Sequence, residues 1–137
     1  MNRLLAVLMV AALFGACKKD DDGSAGEVSQ TVQNGQWRIT KFIEDSVDHT
    51  SYFTGYVFTF NENGTVTATN GSNTVSGTWG TRNDSGKTKF DLYFSSPYEF
   101  EEISEDWVVL SFTSTLIDLE HISGGDGSID HLTFEKI

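Results

Sequence analysis

Turn signals recur along residues 35–137 about every 8–12 residues, and this spacing confines the fold to short strands joined by tight connections. Asn61-Glu62-Asn63-Gly64 lies between the apolar-alternating run Tyr56–Phe60 and Thr65–Thr69. It predicts a type I turn closed by a glycine in the left-handed region. Asn70-Gly71-Ser72-Asn73 joins the next pair, Asn83-Asp84-Ser85-Gly86 repeats the first pattern, and Ser123-Gly124-Gly125-Asp126-Gly127 makes a looser turn. These signals mark eight candidate strands, at 36–43, 52–60, 65–69, 74–80, 87–94, 106–112, 115–121 and 129–135. Strands this closely connected pair antiparallel, because a parallel pair needs a long crossover.

Alternation gives the strands one apolar side. Tyr56, Phe58 and Phe60 share a face, as do Phe90, Leu92 and Phe94, while Leu132 and Phe134 oppose Thr133 and Glu135. Such one-sided strands fit a sheet wetted on its other face. Gly77 interrupts Val75–Trp79 in the way a bend at a barrel corner does. Ser96-Pro97-Tyr98-Glu99, followed by Phe100, Ile103 and Trp107, predicts one short helix near 97–103 lying across an end of the sheet. Eight meandering strands can close on themselves, which removes the edges that invite aggregation. The expected fold is therefore all-β, an eight-stranded antiparallel up-and-down barrel with one short helix. A barrel of this size is either filled by its own side chains or holds one small ligand.

The N-terminus has a different character. Arg3 precedes the apolar run Leu4–Phe14, which is followed by the small residues Gly15 and Ala16, the layout of a secretory signal. Eleven apolar residues are too few to span a bilayer as a helix. Cys17 is the only cysteine of the chain, so it forms no disulfide within it. Leu13-Phe14-Gly15-Ala16-Cys17 resembles the lipobox of bacterial lipoproteins. That resemblance implies cleavage after residue 16, lipidation of Cys17 and an anchor in the outer membrane; two or three acyl chains hold firmly where one is marginal. Lys18-Lys19-Asp20-Asp21-Asp22 resembles the surface-export signal of Bacteroidota lipoproteins, which implies exposure at the cell surface. The division expected is a signal peptide at 1–16, a lipidated cysteine with a flexible acidic linker at 17–34, and one barrel domain at 35–137.

Within the domain, "NGQWRITKF" (34–42) carries Gly35 and Trp37 in a Gly-x-Trp pattern that resembles the lipocalin first-strand signature. "FTFNENGTVT" (58–67), "VSGTWG" (75–80) and "HLTFEKI" (131–137) are similar to small bacterial lipocalin-like lipoproteins. The resemblance implies a structural Trp37 packed across the closed end of a barrel. The chain departs from typical lipocalins in stopping at its eighth strand, with no C-terminal helix following.

Composition narrows the function. With a net charge of −11 the chain repels phosphate backbones, so nucleic acid is not an expected partner. No Gly-x-Ser-x-Gly elbow, phosphate loop or nucleotide fingerprint is present, and no catalytic residue, cofactor or metal is expected. "GGDGSID" (124–130) departs from the calcium nonapeptide at Ile129 and reads as a hairpin turn. Two polar groupings stand apart. Asp118, Glu120 and His121 on the seventh strand can face Asp130 and His131 on the eighth, and Glu99, Glu101, Glu102, Glu105 and Asp106 form an acidic patch that reads first as a solvated face. Seventeen aromatic residues are a heavy load for so short a barrel, and most must fill its interior. Tyr56, Phe58, Trp79, Phe94 and Trp107 are the candidates to line a ligand cleft. The expected protein is a non-catalytic, lipid-anchored, lipocalin-like domain that binds a small apolar or amphipathic molecule or serves as a surface scaffold. The rival reading is an accessory glycan- or protein-binding module of an outer-membrane complex.

Overall fold

The computed structural model describes residues 20–137; the signal segment and Cys17 lie outside them. Nine strands follow one another as β1 (Trp37–Glu44), β2 (Val47–Asp48), β3 (Val57–Phe60), β4 (Thr65–Thr69), β5 (Thr74–Asp84), β6 (Lys87–Tyr93), β7 (Asp106–Phe112), β8 (Leu116–Ile122) and β9 (Ile129–Lys136). Each barrel strand pairs antiparallel with its neighbour in sequence, and β1 pairs with β9 from Trp37↔Lys136 to Ile43↔His131, which closes the ring. The barrel proper is eight strands, β1 and β3–β9. β2 is a two-residue appendage that folds back on the end of β1. The expected fold class holds.

Local chemistry explains the turns. Gly64 has φ +90° and closes the Asn61–Gly64 turn, where its N–H donates to the Asn61 carbonyl at 3.0 Å. The Asn83–Gly86 segment turns more tightly than its sequence suggests. Asp84 pairs with Lys87, and Ser85 (φ 55°) and Gly86 (φ 82°) alone make the loop. Two consecutive positive φ values match the right-handed twist of the strands they join. The strand expected at 52–60 begins only at Val57, because Thr50–Phe53 coils into a single 3-10 turn that drops Phe53 into the barrel mouth. The predicted short helix is present as α2 (Tyr98–Glu101), with Pro97 rather than Ser96 at its N-cap.

The segment expected to be a flexible linker is ordered over most of its length. Residues Asp20–Val32 form a helix, α1, and Ala25, Val28 and Val32 are buried at spacings of three and four. Intrinsic propensity does not account for it, since Gly26 and two valines sit within its 13 residues. Packing does: α1 lies across the barrel end where β1 begins and β9 finishes. Trp37 donates its indole N–H to the Val32 carbonyl at 2.9 Å, and Thr81 Oγ1 donates to the Ala25 carbonyl at 2.9 Å. Gly35, with φ +95°, turns the chain from helix into β1.

All three tryptophans bolt a cover to the barrel in the same way. Trp37 holds α1, Trp79 holds the 61–64 turn through the Asn61 carbonyl, and Trp107 holds the loop after α2 through the Ile103 carbonyl, each at 2.9 Å. A buried indole N–H without an acceptor costs about 1–3 kcal/mol, so each of these segments is tied to its ring. Between the covers the interior is aromatic. Phe60, Trp79, Phe90 and Phe134 pack in the α1 half, and Phe53, Phe58, Phe94 and Phe100 in the other, with ring centroids 5.0–6.5 Å apart.

Candidate functional site

The five aromatics expected to line a cleft are placed in this packing. Phe58 and Trp107 are fully buried, Phe94 is 1% and Trp79 8% exposed, and Tyr56 is half-buried against the Phe100 ring at 5.0 Å. Phe58 touches Phe53, Phe94, Phe100 and Phe134, so its faces and edges are taken by neighbouring rings. The alternation that identified these residues reports which way a side chain points. It carries no information on whether the space it points into is occupied, and here Phe53 and Phe100 fill the mouth. Gly35 turns the chain into β1, and Trp37 is buried at the end covered by α1.

The polar chemistry gathers at the opposite end, on the rim around α2. β8 and β9 pair so that His121 lies directly across from Asp130, and both follow Leu119 and Leu132 on the inward-facing columns of their strands. The imidazole rests edge-on against Trp107, with centroids 6.0 Å apart. The loop from α2 into β7 brings Glu105 and Asp106 over the same ring. His121 Nε2 is 3.2 Å from Glu105 Oε1 and 3.5 Å from Asp106 Oδ1, while Nδ1 faces Asp130 Oδ2 at 4.0 Å. Nδ1 is buried and has no hydrogen-bond partner. Asp130 is held in turn by the Asp45 N–H, which donates to its Oδ1 at 3.1 Å.

The rim is short of positive charge. Burial pushes the Glu105 carboxyl up, against the pull of His121, with Asp106 and Asp130 adding repulsion. Burial also raises Glu44, helped by a hydrogen bond to Glu102 and by the charges of Glu102, Asp130 and Asp45, to about 7. Burial acts the same way on Asp106, but the Lys89 ammonium bonded to it at 3.3 Å outweighs that and leaves it below the usual carboxylate range. Part of each polar grouping legible in the sequence meets on the rim, Glu105 and Asp106 from one and His121 and Asp130 from the other, while Asp118 and His131 lie along the outer wall. The acidic patch and the β8/β9 pair looked separate because only barrel closure and the turn of α2 carry 105–106 over 121 and 130.

Two grooves open on the outer wall. A groove of about 300 Å³ is lined by Thr78, Trp79, Gly80, Asp91, Leu92 and Tyr93, of which Tyr93 is 59% exposed. A second, of about 280 Å³, runs past Lys41, Leu110, Asp118, His131 and Thr133.

Fold and site together define a class: a small, all-β, eight-stranded up-and-down barrel of lipocalin-like topology, with an aromatic-filled interior and an acidic rim. Among solved structures the chain is similar to a DUF4847 family protein from Bacteroides vulgatus, with a TM-score of 0.55 at 16% identity, covering 79% of this chain and 96% of that one. At that identity the likeness is one of fold. No protein-family model and no curated protein matches the sequence.

Proposed function

We propose that the protein is a non-catalytic, lipid-anchored outer-membrane domain that acts as a surface scaffold, meeting its partners through its rim and outer wall. The observation that carries this reading is the filled barrel. Phe53 and Phe100 occupy one mouth and α1 covers the other, so an apolar ligand in the lumen would have to displace buried rings, each contributing about 1.5–3 kcal/mol. Barrel end and lipobox are also adjacent in the chain, since α1 begins at Asp20, three residues after Cys17. A tether that short keeps the α1-covered end near the bilayer and turns the acidic rim away from it.

Three measurements test the reading. Cys17→Ala should move the protein from the membrane fraction to the soluble one, and protease added to intact cells should digest the wild-type chain. Unchanged fractionation would overturn the anchor. Native mass spectrometry of the protein purified from its host should show the lipidated chain with no further apolar molecule bound, and a stoichiometric apolar ligand would return the function to the lumen. The accessory glycan-binding reading is favoured by one feature, the exposed Tyr93 ring beside Gly80 and Asp91 in the outer groove. Glycan-array binding lost in Tyr93→Ala would establish it.

A further inference from the structure

We propose that the rim binds one divalent transition-type cation, of which Zn²⁺ is the reference, through His121 Nε2 and the carboxylates of Glu105 and Asp106, with Asp130 orienting the imidazole from behind. The cation site is a property of the rim and stands independently of the anchor and of the partner.

The distances fit the chemistry. Zinc holds nitrogen and oxygen donors at about 2.0–2.2 Å, so two donors of a tetrahedral site lie about 3.3 Å apart. His121 Nε2 already lies 3.2 Å from Glu105 Oε1 and 3.5 Å from Asp106 Oδ1, and all three donor atoms fall within 4.8 Å of one another. The third edge, between Glu105 and Asp106, is no longer than 4.8 Å and closes by rotation of the Glu105 side chain, and solvent can supply the fourth ligand.

Charge points the same way. The buried Nδ1 has no hydrogen-bond partner and faces Asp130 Oδ2 at 4.0 Å. Nε2 turns toward the Glu105 and Asp106 carboxylates, and the space between the three donors is where a cation would sit. Lys89 bonds Asp106 Oδ2 from one side at 3.3 Å, and a divalent ion at Nε2 would add two positive charges among Glu105, Asp106 and Asp130. Asp130 stands behind the imidazole at 4.0 Å, and if that contact shortens when an ion binds, it gives the carboxylate–imidazole–cation line by which proteins orient a histidine ligand. An imidazole in the donor set selects zinc-like ions over Ca²⁺ and Mg²⁺, which take oxygen.

The test is calorimetric titration of ZnCl₂ into the detergent-solubilised full chain after chelator treatment, with Co²⁺ absorption as a second readout. One equivalent should bind. His121→Gln and Glu105→Gln should each weaken it at least about tenfold, and Asp130→Asn by about tenfold or more through the lost orienting contact. His131→Gln, on the outer wall opposite Glu120, should leave it unchanged. Glu105 lies in a loop, so its variant keeps the test valid if His121→Gln fails to fold. No saturable binding up to millimolar Zn²⁺ would overturn the proposal. So would equal affinity in His121→Gln, which would mark an adventitious ion only, or tighter binding of Ca²⁺ than of Zn²⁺.

Discussion

Gly77→Ala is the sharpest perturbation of the barrel. Gly77 sits opposite Val66 on β4, one residue before the Thr78↔Tyr93 pair that joins β5 to β6. A methyl group built there would lie 2.2 Å from the Tyr93 carbonyl oxygen and 2.6 Å from Phe94 Cδ1. Both approaches are far inside van der Waals contact, and the nearer atom is backbone, so no rotamer change relieves it. Strands β5 and β6 must part, or the Phe94 ring must leave its buried seat. Overpacking of this kind costs about 1–3 kcal/mol, and a backbone obstacle places the expected loss near the top, at about 3 kcal/mol. That corresponds to a fall in Tm of about 10–15 °C for a domain of this size. Gly80→Ala is the control. It lies on the same strand, its added methyl meets nothing within 4 Å, and it should change stability by less than about 0.5 kcal/mol. Chemical denaturation of the two variants against wild type is the assay. Phe94→Leu in the Gly77→Ala background should recover only part of the loss, because the carbonyl contact persists. A Gly77→Ala protein within about 0.5 kcal/mol of wild type would refute the claim that β5 and β6 meet too closely at this corner for a side chain.

Three further outcomes are expected. Val28→Asp places a charge in the fully buried seam beneath α1 and should cost about 3 kcal/mol, with amide exchange rising first in residues 24–32 while the strands stay protected. Trp37→Phe keeps the ring in the barrel but leaves the Val32 carbonyl without its donor; a loss of about 1–3 kcal/mol by denaturant melt, again centred on α1, is the predicted result. In chelator-containing buffer, stability should fall as pH rises from 4.5 to about 7 and then level off, because folded Glu44 keeps a proton that the unfolded chain has already released. Glu44→Gln should flatten that slope and gain about 1 kcal/mol at pH 8, a figure discounted for the solvent that reaches this rim position.

Residues 35–137 declared the barrel because their signals are local. Period-two alternation at Phe58/Phe60, Phe90/Leu92/Phe94 and Leu132/Phe134 sets which face of a strand is buried, and Asn–Gly chemistry sets where it turns. Neither depends on what lies across the core. Gly77 as a corner and the short helix after Pro97 were legible for the same reason. α1 was not. Its polar, glycine-containing sequence has little reason to be helical alone, and Ala25, Val28 and Val32 acquire their meaning only when the barrel end offers an apolar floor and Trp37 and Thr81 offer hydrogen bonds. The Tyr52–Tyr56 stretch failed as a strand in a related way, its β-like composition overridden by the need to seat Phe53 in the barrel mouth.

Sequence by itself therefore determined the eight barrel strands, the antiparallel order, the buried faces and the acidic charge, all of which arise from neighbours along the chain. Tertiary structure decided whether the aromatic interior was filled or hollow, because only the arrival of Phe53, Phe100 and α1 from distant segments closes the two mouths. It also decided that Glu105, Asp106, His121 and Asp130 form a single cluster, since their meeting depends on loop reach and β8–β9 register across the rim, distances that a linear pattern does not encode.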